Sequence, residues 1–574
     1  MRLSLLVIGL LITVQSHGGW FTLNKSSVVK EPQMKVITQG RDTFINVEVP
    51  GFNINKVSTI AGQFAEIQIP RHSFTSEIGA PQLPAIRFQV EIDSESASLE
   101  VVSSKTHSMA GQSTGIQGDV VPVQLPREKR AGVVVKFQKN ESVYNKNALF
   151  PSQDARVISI NSIRGHKVAL IEVTPVKLNP VTRELEFVES LQLKLSGTGE
   201  VSQDVKVSGQ EFDILGSEAV LNYATSKSVP RSKFLLIVGR GLENSASLQS
   251  FIETKRTRGF DIESVHMANI GTTPDSVRNL IRKQYLASNA QLALTHVMIV
   301  GDIENVPAHF VDGHYTDSFY ASVDKVSYIG DETAPDVAVG RLAIKNKAEL
   351  DVVVGKLVRY EKNQFTNTAW MKKIAWLATD DRYLVAEGTH NYVINNYSTT
   401  AGVTGMFPNN TQAGGDLLYA ITHRATQANV VRSVNDGRSF VVYSGHGAVT
   451  FWDAPRFTQS DIQNITHLEA NPYVMSFACI SGSFGASTDS FGETWLKAAR
   501  GGIGFFGTTN SSYWDEDDIL QKAFFDGFYR DKIKTAGMLN IFGLNAVTKG
   551  YPLKATYYSQ VYNLLGDPTT ILKQ

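Results

Sequence analysis

Apolar residues follow two different rhythms along this chain. Between about Ser27 and Gly199 they alternate with polar residues or gather in short β-branched runs. Phe44-Ile45-Asn46-Val47-Glu48-Val49 and Leu185-Glu186-Phe187-Val188 show the first habit, Val133 to Phe137 and Val168 to Val173 the second. Turn residues recur between them, as at Pro50-Gly51, Gly79-Ala80-Pro81 and Asn179-Pro180. A period of two broken by frequent turns, with little helical spacing, predicts an all-β domain of sandwich or barrel type. From Gln203 onward the pattern weakens. Ser226 to Lys233 is polar, basic and contains Pro230, which predicts an exposed linker open to cleavage.

After Phe234 the rhythm becomes strand, helix, strand. Phe234 to Val238 reads as a buried strand, and Leu248, Phe251, Ile252 and Lys255 follow at helical spacing. Thr273-Pro274-Asp275 opens another helix, with Thr273 as N-cap and Pro274 in the first turn. Further strands are expected at His296–Val300, Val337–Val339, Ile374–Ala378, Phe440–Tyr443, Tyr473–Phe477 and Ile503–Phe506. Such alternation predicts a mostly parallel sheet with helices on both faces. Sites in these sheets gather beyond the carboxyl ends of the strands. Asp380-Asp381, His446, Cys479 and Thr508-Thr509-Asn510 all fall at such ends.

A length of 574 residues calls for several domains. Lys+Arg and Asp+Glu balance at 55 each, which argues against an electrostatic nucleic-acid binder. Met1-Arg2, the apolar stretch Leu5 to Val14 and the small polar Gln15 to Gly19 read as a signal peptide, too short to span a bilayer. No later segment reads as a membrane span, so the mature protein is expected to be secreted. The expected organisation is a signal peptide over 1–18, an all-β pro-domain over 19–226, a linker and activation site over 227–233, and a catalytic domain over 234–574. Cys479 is the only cysteine, so no intramolecular disulfide is available. A lone thiol in an oxidising compartment is better explained by chemistry than by packing.

The imidazole to serve that thiol is His446, in Ser444-Gly445-His446-Gly447 at the end of the neighbouring strand. A free thiol is mostly protonated at neutral pH, and a nearby histidine takes its proton and later gives it to a leaving amine. The Gly447 and Cys479 N–H groups are candidates for an oxyanion hole. Competing chemistries fit less well. Neither clustered Cys/His ligands nor a His-Glu-x-x-His pattern for zinc occurs. Gly111-Gln112-Ser113-Thr114-Gly115 has serine-hydrolase spacing but lies in the β region, without the required strand-to-helix turn. Gly501-Gly502-Ile503-Gly504 precedes a strand and lacks the residues of a phosphate loop.

Several segments together resemble gingipain-type cysteine peptidases, which have a caspase-like α/β fold. They are Val300-Gly301-Asp302 with Val306-Pro307; Val339-Gly340-Arg341; Tyr443 to Gly447 with Trp452; Ala478-Cys479 with Gly482-Ser483-Phe484; and Leu564-Leu565-Gly566-Asp567-Pro568. Gly79-Ala80-Pro81-Gln82-Leu83-Pro84 resembles the family's pro-domain. The resemblance implies Cys479 as nucleophile, His446 as acid/base and a carboxylate at Asp380-Asp381, with Asp381 favoured, to orient the imidazole. It implies a substrate-binding acid at Glu387, three residues before His390, for a basic P1 side chain, and Trp514 as a cover for that side chain. Protein or peptide substrates and the chain's own inhibitory pro-domain are the implied partners. A basic side chain of the linker or pro-domain is expected to occupy the S1 site until cut. No cofactor is needed for the chemistry. A structural calcium is implied without identifiable ligands. A transpeptidase using the same acyl-enzyme, and an inactive binding or adhesion protein on the same scaffold, are the alternatives.

Overall fold

The computed structural model of the protein describes residues 20–23 and 31–574, apart from 111, 112, 114, 115, 117, 131, 134, 226, 227 and 468. The expected signal peptide and most of the Gly111–Gly115 stretch lie outside the described residues.

The N-terminal region is β-rich, as its alternation predicts. Its main strands are β1 (Gln33–Gln39), β2 (Asp42–Glu48), β3 (Pro84–Ile92), β4 (Ser94–Met109), β5 (Ala155–Ile163), β6 (His166–Val173) and β7 (Leu185–Val201). Strands β1, β2, β7 and β4 form one sheet and β5, β6 and β3 another. Alternation along β2 turns Ile45 and Val47 inward, where they share a core with Phe88 and Val90 of β3 and Ile171 of β6. β3 is buried on both faces because its other face meets the C-terminal region. There Arg87 donates to the Gly550 carbonyl at 2.9 Å, and Gln89 to Asn545 at 3.1 Å.

Several elements depart from the sequence reading. Val133 to Phe137, read as a β-branched run of strand type, carries no strand among its described residues. The weakly patterned stretch after Gln203 contains a helix, α1 (Gln210–Ala219). Its Phe212, Leu215, Gly216 and Ala219 are buried, and Phe212 and Leu215 join the core of the C-terminal region. The first strand of that region, β8 (Arg231–Val238), begins three residues before Phe234. Arg231, Ser232 and Lys233, read as part of the linker, are therefore paired sheet residues, aligned with Leu292, Ala293 and Leu294.

The sheet continues through β9 (Asp261–His266), β10 (Leu292–Val300), β11 (Ala338–Leu342), β12 (Ile374–Ala378), β13 (Asp416–Tyr419), β14 (Phe440–Ser444), β15 (Tyr473–Phe477), β16 (Gly504–Thr508) and β17 (Tyr562–Gly566). Its spatial order is β9-β8-β10-β11-β17-β16-β15-β14-β12-β13. Every neighbouring pair is parallel except β16–β17. The sheet is thus two parallel halves running in opposite directions, so β12, β14, β15 and β16 all end at one edge. The central strands are apolar throughout because helices cover both faces. Of these helices, α2 (Tyr383–Val393), α3 (Trp514–Tyr529), α4 (Ala536–Gly550) and α5 (Pro552–Val561) bear on the site. Among the described residues no helix is long and apolar enough to cross a membrane.

Candidate active site

Register brings the two reactive side chains together. Ser444, the last residue of β14, lies opposite Phe477, the last of β15, so His446 and Cys479 leave adjacent strand ends. Glycine is required on both sides of His446. A Cβ on Gly445 would come within 2.5 Å of Thr379 Cβ, and one on Gly447 within 2.9 Å of Ala478 Cβ. The second approach sets the Gly447 backbone against the Ala478–Cys479 turn. Ile480 follows with φ 49°, a left-handed conformation unusual for a β-branched residue, which turns the chain sharply away after the thiol.

β12 ends beside β14, with Ala378 opposite Ser444. The next loop delivers Asp381, whose Oδ2 lies 3.0 Å from His446 Nε2. Asp380 is exposed and accepts from its neighbour Thr379 at 3.2 Å. Of the two aspartates, Asp381 is the one that meets the imidazole.

The space between Cys479 and His446 is filled by the chain's own Arg127-Glu128-Lys129-Arg130. The segment lies antiparallel to Ser512-Tyr513-Trp514. Lys129 N–H donates to the Ser512 carbonyl at 2.8 Å, and Trp514 N–H donates to the Arg127 carbonyl at 3.1 Å. The Lys129 carbonyl accepts from His446 Nδ1 at 2.7 Å and from Cys479 Sγ at 3.2 Å. Ser512 N–H donates to Cys479 Sγ at 3.3 Å. Both ring nitrogens of His446 therefore face acceptors, an arrangement satisfied in full only by the doubly protonated ring. Burial alone would lower the His446 pKa. The Asp381 and Lys129 hydrogen bonds and the Asp381 charge outweigh it and hold the imidazole above its ordinary value. Burial, with Asp517 and Glu128, pushes the Cys479 thiol up against the opposing effect of the Ser512 N–H. The His446 bond holds the Asp381 carboxyl below its ordinary value, aided by Arg127, whose Nη2 is 3.7 Å away.

The Lys129 side chain enters a closed pocket. Its ammonium donates to Ser444 Oγ at 3.0 Å and to the Phe477 carbonyl at 2.9 Å, and it pairs with Asp517 Oδ2 at 2.9 Å. Both ionic side chains are sealed from solvent, with exposures of 0% and 1%. The Trp514 ring lies 4.7 Å from the ammonium and edge-on to the His446 ring. Asp517 is one turn along α3 from Trp514. Its Oδ1 accepts from Tyr558 Oη at 3.0 Å and Tyr562 Oη at 2.5 Å.

The acid expected in this role, Glu387, is engaged elsewhere. It is buried on α2, where its Oε2 accepts from Thr422 Oγ1 at 2.5 Å. Neither Lys129 nor Asp517 was singled out by sequence. Their signals are the basic run Arg127–Arg130 beside Pro126, and the acidic run Asp515–Asp518 following Trp514.

Comparison with known proteins shows the family and the fold. The sequence profile of Peptidase family C25 matches residues 225–573, and that of Propeptide_C25 matches residues 24–229. The chain belongs to peptidase family C25. Gingipain R1 of Porphyromonas gingivalis is 22% identical over 97% of this chain and 56% of its own length. Lys-gingipain of the same organism is 23% identical over 90% of this chain and 31% of its own length. The chain thus spans about half of the first relative and a third of the second. The crystal structure of the Arg-specific cysteine proteinase gingipain R matches with a TM-score of 0.52 and 20% identity, over 61% of this chain and 80% of that one. The complex of Porphyromonas gingivalis RgpB pro- and mature domains matches with a TM-score of 0.51 and 20% identity, over 60% and 80%. The β-rich region is accordingly a C25 propeptide and the α/β region a C25 cysteine-peptidase domain.

The C25 domain also carries a buried acidic cluster. Oxygens of Asp324, Asp331 and Asp336 lie within 4.8 Å of one another. Asp336 accepts from the Val323 and Asp324 N–H groups, but no oxygen of Asp324 or Asp331 has a hydrogen-bond partner. Lys325 lies 3.3 Å from Asp331, and Arg278 and Arg164 bring further positive charge to the cluster. Burial, and next the Asp324 charge, push the Asp331 carboxyl up to about 9. Hard oxygens with unused lone pairs in a sealed site fit a calcium ion.

Proposed function

We propose that this chain is the zymogen of a secreted cysteine endopeptidase that cleaves after lysine. The observation that carries this reading is the Lys129 side chain seated against Asp517, Ser444 and the Phe477 carbonyl. An ammonium has three donors and meets three acceptors here. A guanidinium is planar, longer and forked, and matches a different arrangement of acceptors.

In cleavage, His446 Nδ1 takes the Cys479 proton and the thiolate attacks the carbonyl carbon of the P1 lysine. The carbonyl electrons move to oxygen, which the Gly447 and Cys479 N–H groups receive. Collapse of that intermediate breaks the C–N bond, and His446 returns the proton to the departing amine. Water, deprotonated by His446, then hydrolyses the thioester and frees Cys479. Asp381 holds the ring by Nε2 throughout, which keeps Nδ1 directed at the reacting atoms. The bound Lys129 carbonyl is not presented this way. Its oxygen takes hydrogen bonds from the thiol and the imidazole, so nucleophile and base are both kept protonated, and the pro-segment blocks the site without being cut.

A peptide library varied at P1, assayed with wild type and Cys479→Ala, tests this. Lysine is expected to exceed arginine by about tenfold or more, since charged hydrogen bonds are worth about 1.5–3 kcal/mol each. Equal or greater cleavage after arginine overturns the lysine assignment, and turnover by Cys479→Ala overturns the nucleophile. We further infer that Asp324, Asp331 and Asp336 hold a structural calcium, whose contribution is charge neutralisation and not chemistry.

A further inference from the structure

The propeptide also touches the C25 domain at a place apart from both Lys129 and the Arg87–Gln89 contacts. The turn between β5 and β6 is Arg164-Gly165, and it opens on Arg164 with φ 52°. This left-handed turn drives the residue into the neighbouring region, where its exposure is 1%. Within the propeptide its Nε donates to the Val207 carbonyl at 2.8 Å and Nη2 to the Ser208 carbonyl at 3.3 Å; across to the C25 domain, Nη1 donates to the Leu294 carbonyl at 3.1 Å. Nη1 also meets the Asp336 carbonyl, and the Arg164 N–H donates to Asp336 Oδ1 at 2.7 Å. The guanidinium stacks on Phe212 of α1 at 4.5 Å and lies 5.6 Å from the Tyr285 ring.

We propose that this pocket is an arginine-binding exosite of the peptidase domain, and that Arg164 is a latch holding the propeptide independently of the lysine in the active site. Leu294, Asp336 and Tyr285 belong to the peptidase domain. They present two carbonyls and a ring to the planar cation, and the Asp336 carboxylate to the backbone N–H of Arg164. Such a cage suits guanidinium, with five donors in a fixed fork, better than ammonium. The ligand class is an arginine at the tip of a tight β turn. Separated anchors make release cooperative: while one holds, another rebinds as an intramolecular event. Losing the latch therefore exposes the active site more often, although Arg164 touches none of its residues.

The inference rests on the zymogen reading, and the single cysteine allows the two to be tested apart. Full-length protein carrying His446→Ala, which prevents self-cleavage, is treated with iodoacetamide, and Cys479 alkylation is followed by intact mass. Lys129→Ala in this background tests the zymogen reading and is expected to speed alkylation. Arg164→Ala is expected to speed it by about tenfold or more, the worth of one charged hydrogen bond, and Arg164→Lys by less. Methylguanidinium is expected to restore protection to Arg164→Ala, and methylammonium to do so poorly. A misfolded variant would not show this selective rescue. An unchanged rate in Arg164→Ala alongside a faster one in Lys129→Ala overturns the latch alone. Faster alkylation of Arg164→Ala without methylguanidinium rescue also overturns it. Unchanged rates in both variants overturn the zymogen reading with it.

Discussion

Cys479 is held protonated by what lies over it. Burial contributes most to its raised pKa, and part of that burial, together with the Glu128 charge, comes from the propeptide. Removing the propeptide should bring the thiol pKa down. Alkylation of the intact chain, followed against pH, is expected to rise at higher pH than that of the matured enzyme, because thiolate is the reacting form. Coincident profiles would show that the pro-segment does not set the thiol. In the matured enzyme, Asp517→Asn should cut kcat/KM for lysine substrates by about a hundredfold or more, as a buried ion pair losing one partner costs about 3–5 kcal/mol. Glu387→Gln should leave the P1 profile intact, since that acid serves Thr422; a selective loss there would reverse the assignment. Cys479 and His446 were legible because each follows an apolar strand, the histidine between glycines that permit close approach, whereas the choice of Asp381 over Asp380 rests on the family resemblance. Asp517 and Lys129 were not legible, because their pairing arises from contact between regions far apart in sequence. A short helical acid run and a basic loop look alike in any solvated surface. The choice of Glu387 relied on spacing to His390, which is itself structural: its Nε2 donates to the Leu377 carbonyl at 2.8 Å.

At the scale of elements, the alternation of apolar and polar residues was sufficient for the β-rich propeptide and for most strands of the large sheet. It failed at the junction. α1 buries Phe212, Leu215, Gly216 and Ala219 on one helical face, but a short helix with glycines at Gly209 and Gly216 gives a weak period. The polar start of β8 hid a strand whose side chains pair at the sheet margin, as Lys233 does with Glu263 at 2.5 Å. This placement narrows where the linker is cut. Cleavage after Lys233 would sever β8 within its ladder, whereas Lys227 lies in the stretch between α1 and β8. Wild type is expected to mature to a species beginning at Ser228, while Cys479→Ala stays full length. N-terminal sequencing and intact mass read the outcome, and a start at Phe234 would count against it. Because α1 packs Phe212 and Leu215 into the peptidase core, the severed propeptide should remain bound after this cut.

At the scale of the molecule, the antiparallel contact of β16 with β17 separates two parallel half-sheets, and the work is divided between them. One half ends in Asp381, His446 and Cys479. The loops of the other hold Asp324, Asp331 and Asp336, beside the turn that bears Arg164. The opposite strand directions were not legible, because apolar runs carry no sign of direction. The acidic cluster was equally hidden, since its members converge only through the folded path of residues 324–336. Three carboxylates sealed together repel one another, and a cation that binds the folded state alone stabilises it by mass action. At a calcium concentration a hundredfold above its dissociation constant the gain is about 2.7 kcal/mol. Calcium is therefore expected to raise the melting temperature of the full chain, and a chelator to lower it. Magnesium should do less, because it demands a tighter octahedral shell and gives up water reluctantly. Asp331→Asn should abolish the calcium response. In chelator it should also melt higher than wild type, because burial and the Asp324 charge push the Asp331 carboxyl up to about 9, so at neutral pH it must take up a proton on folding and asparagine need not. A wild type indifferent to calcium, or an Asp331→Asn protein that responds as strongly as wild type, would remove calcium from this site.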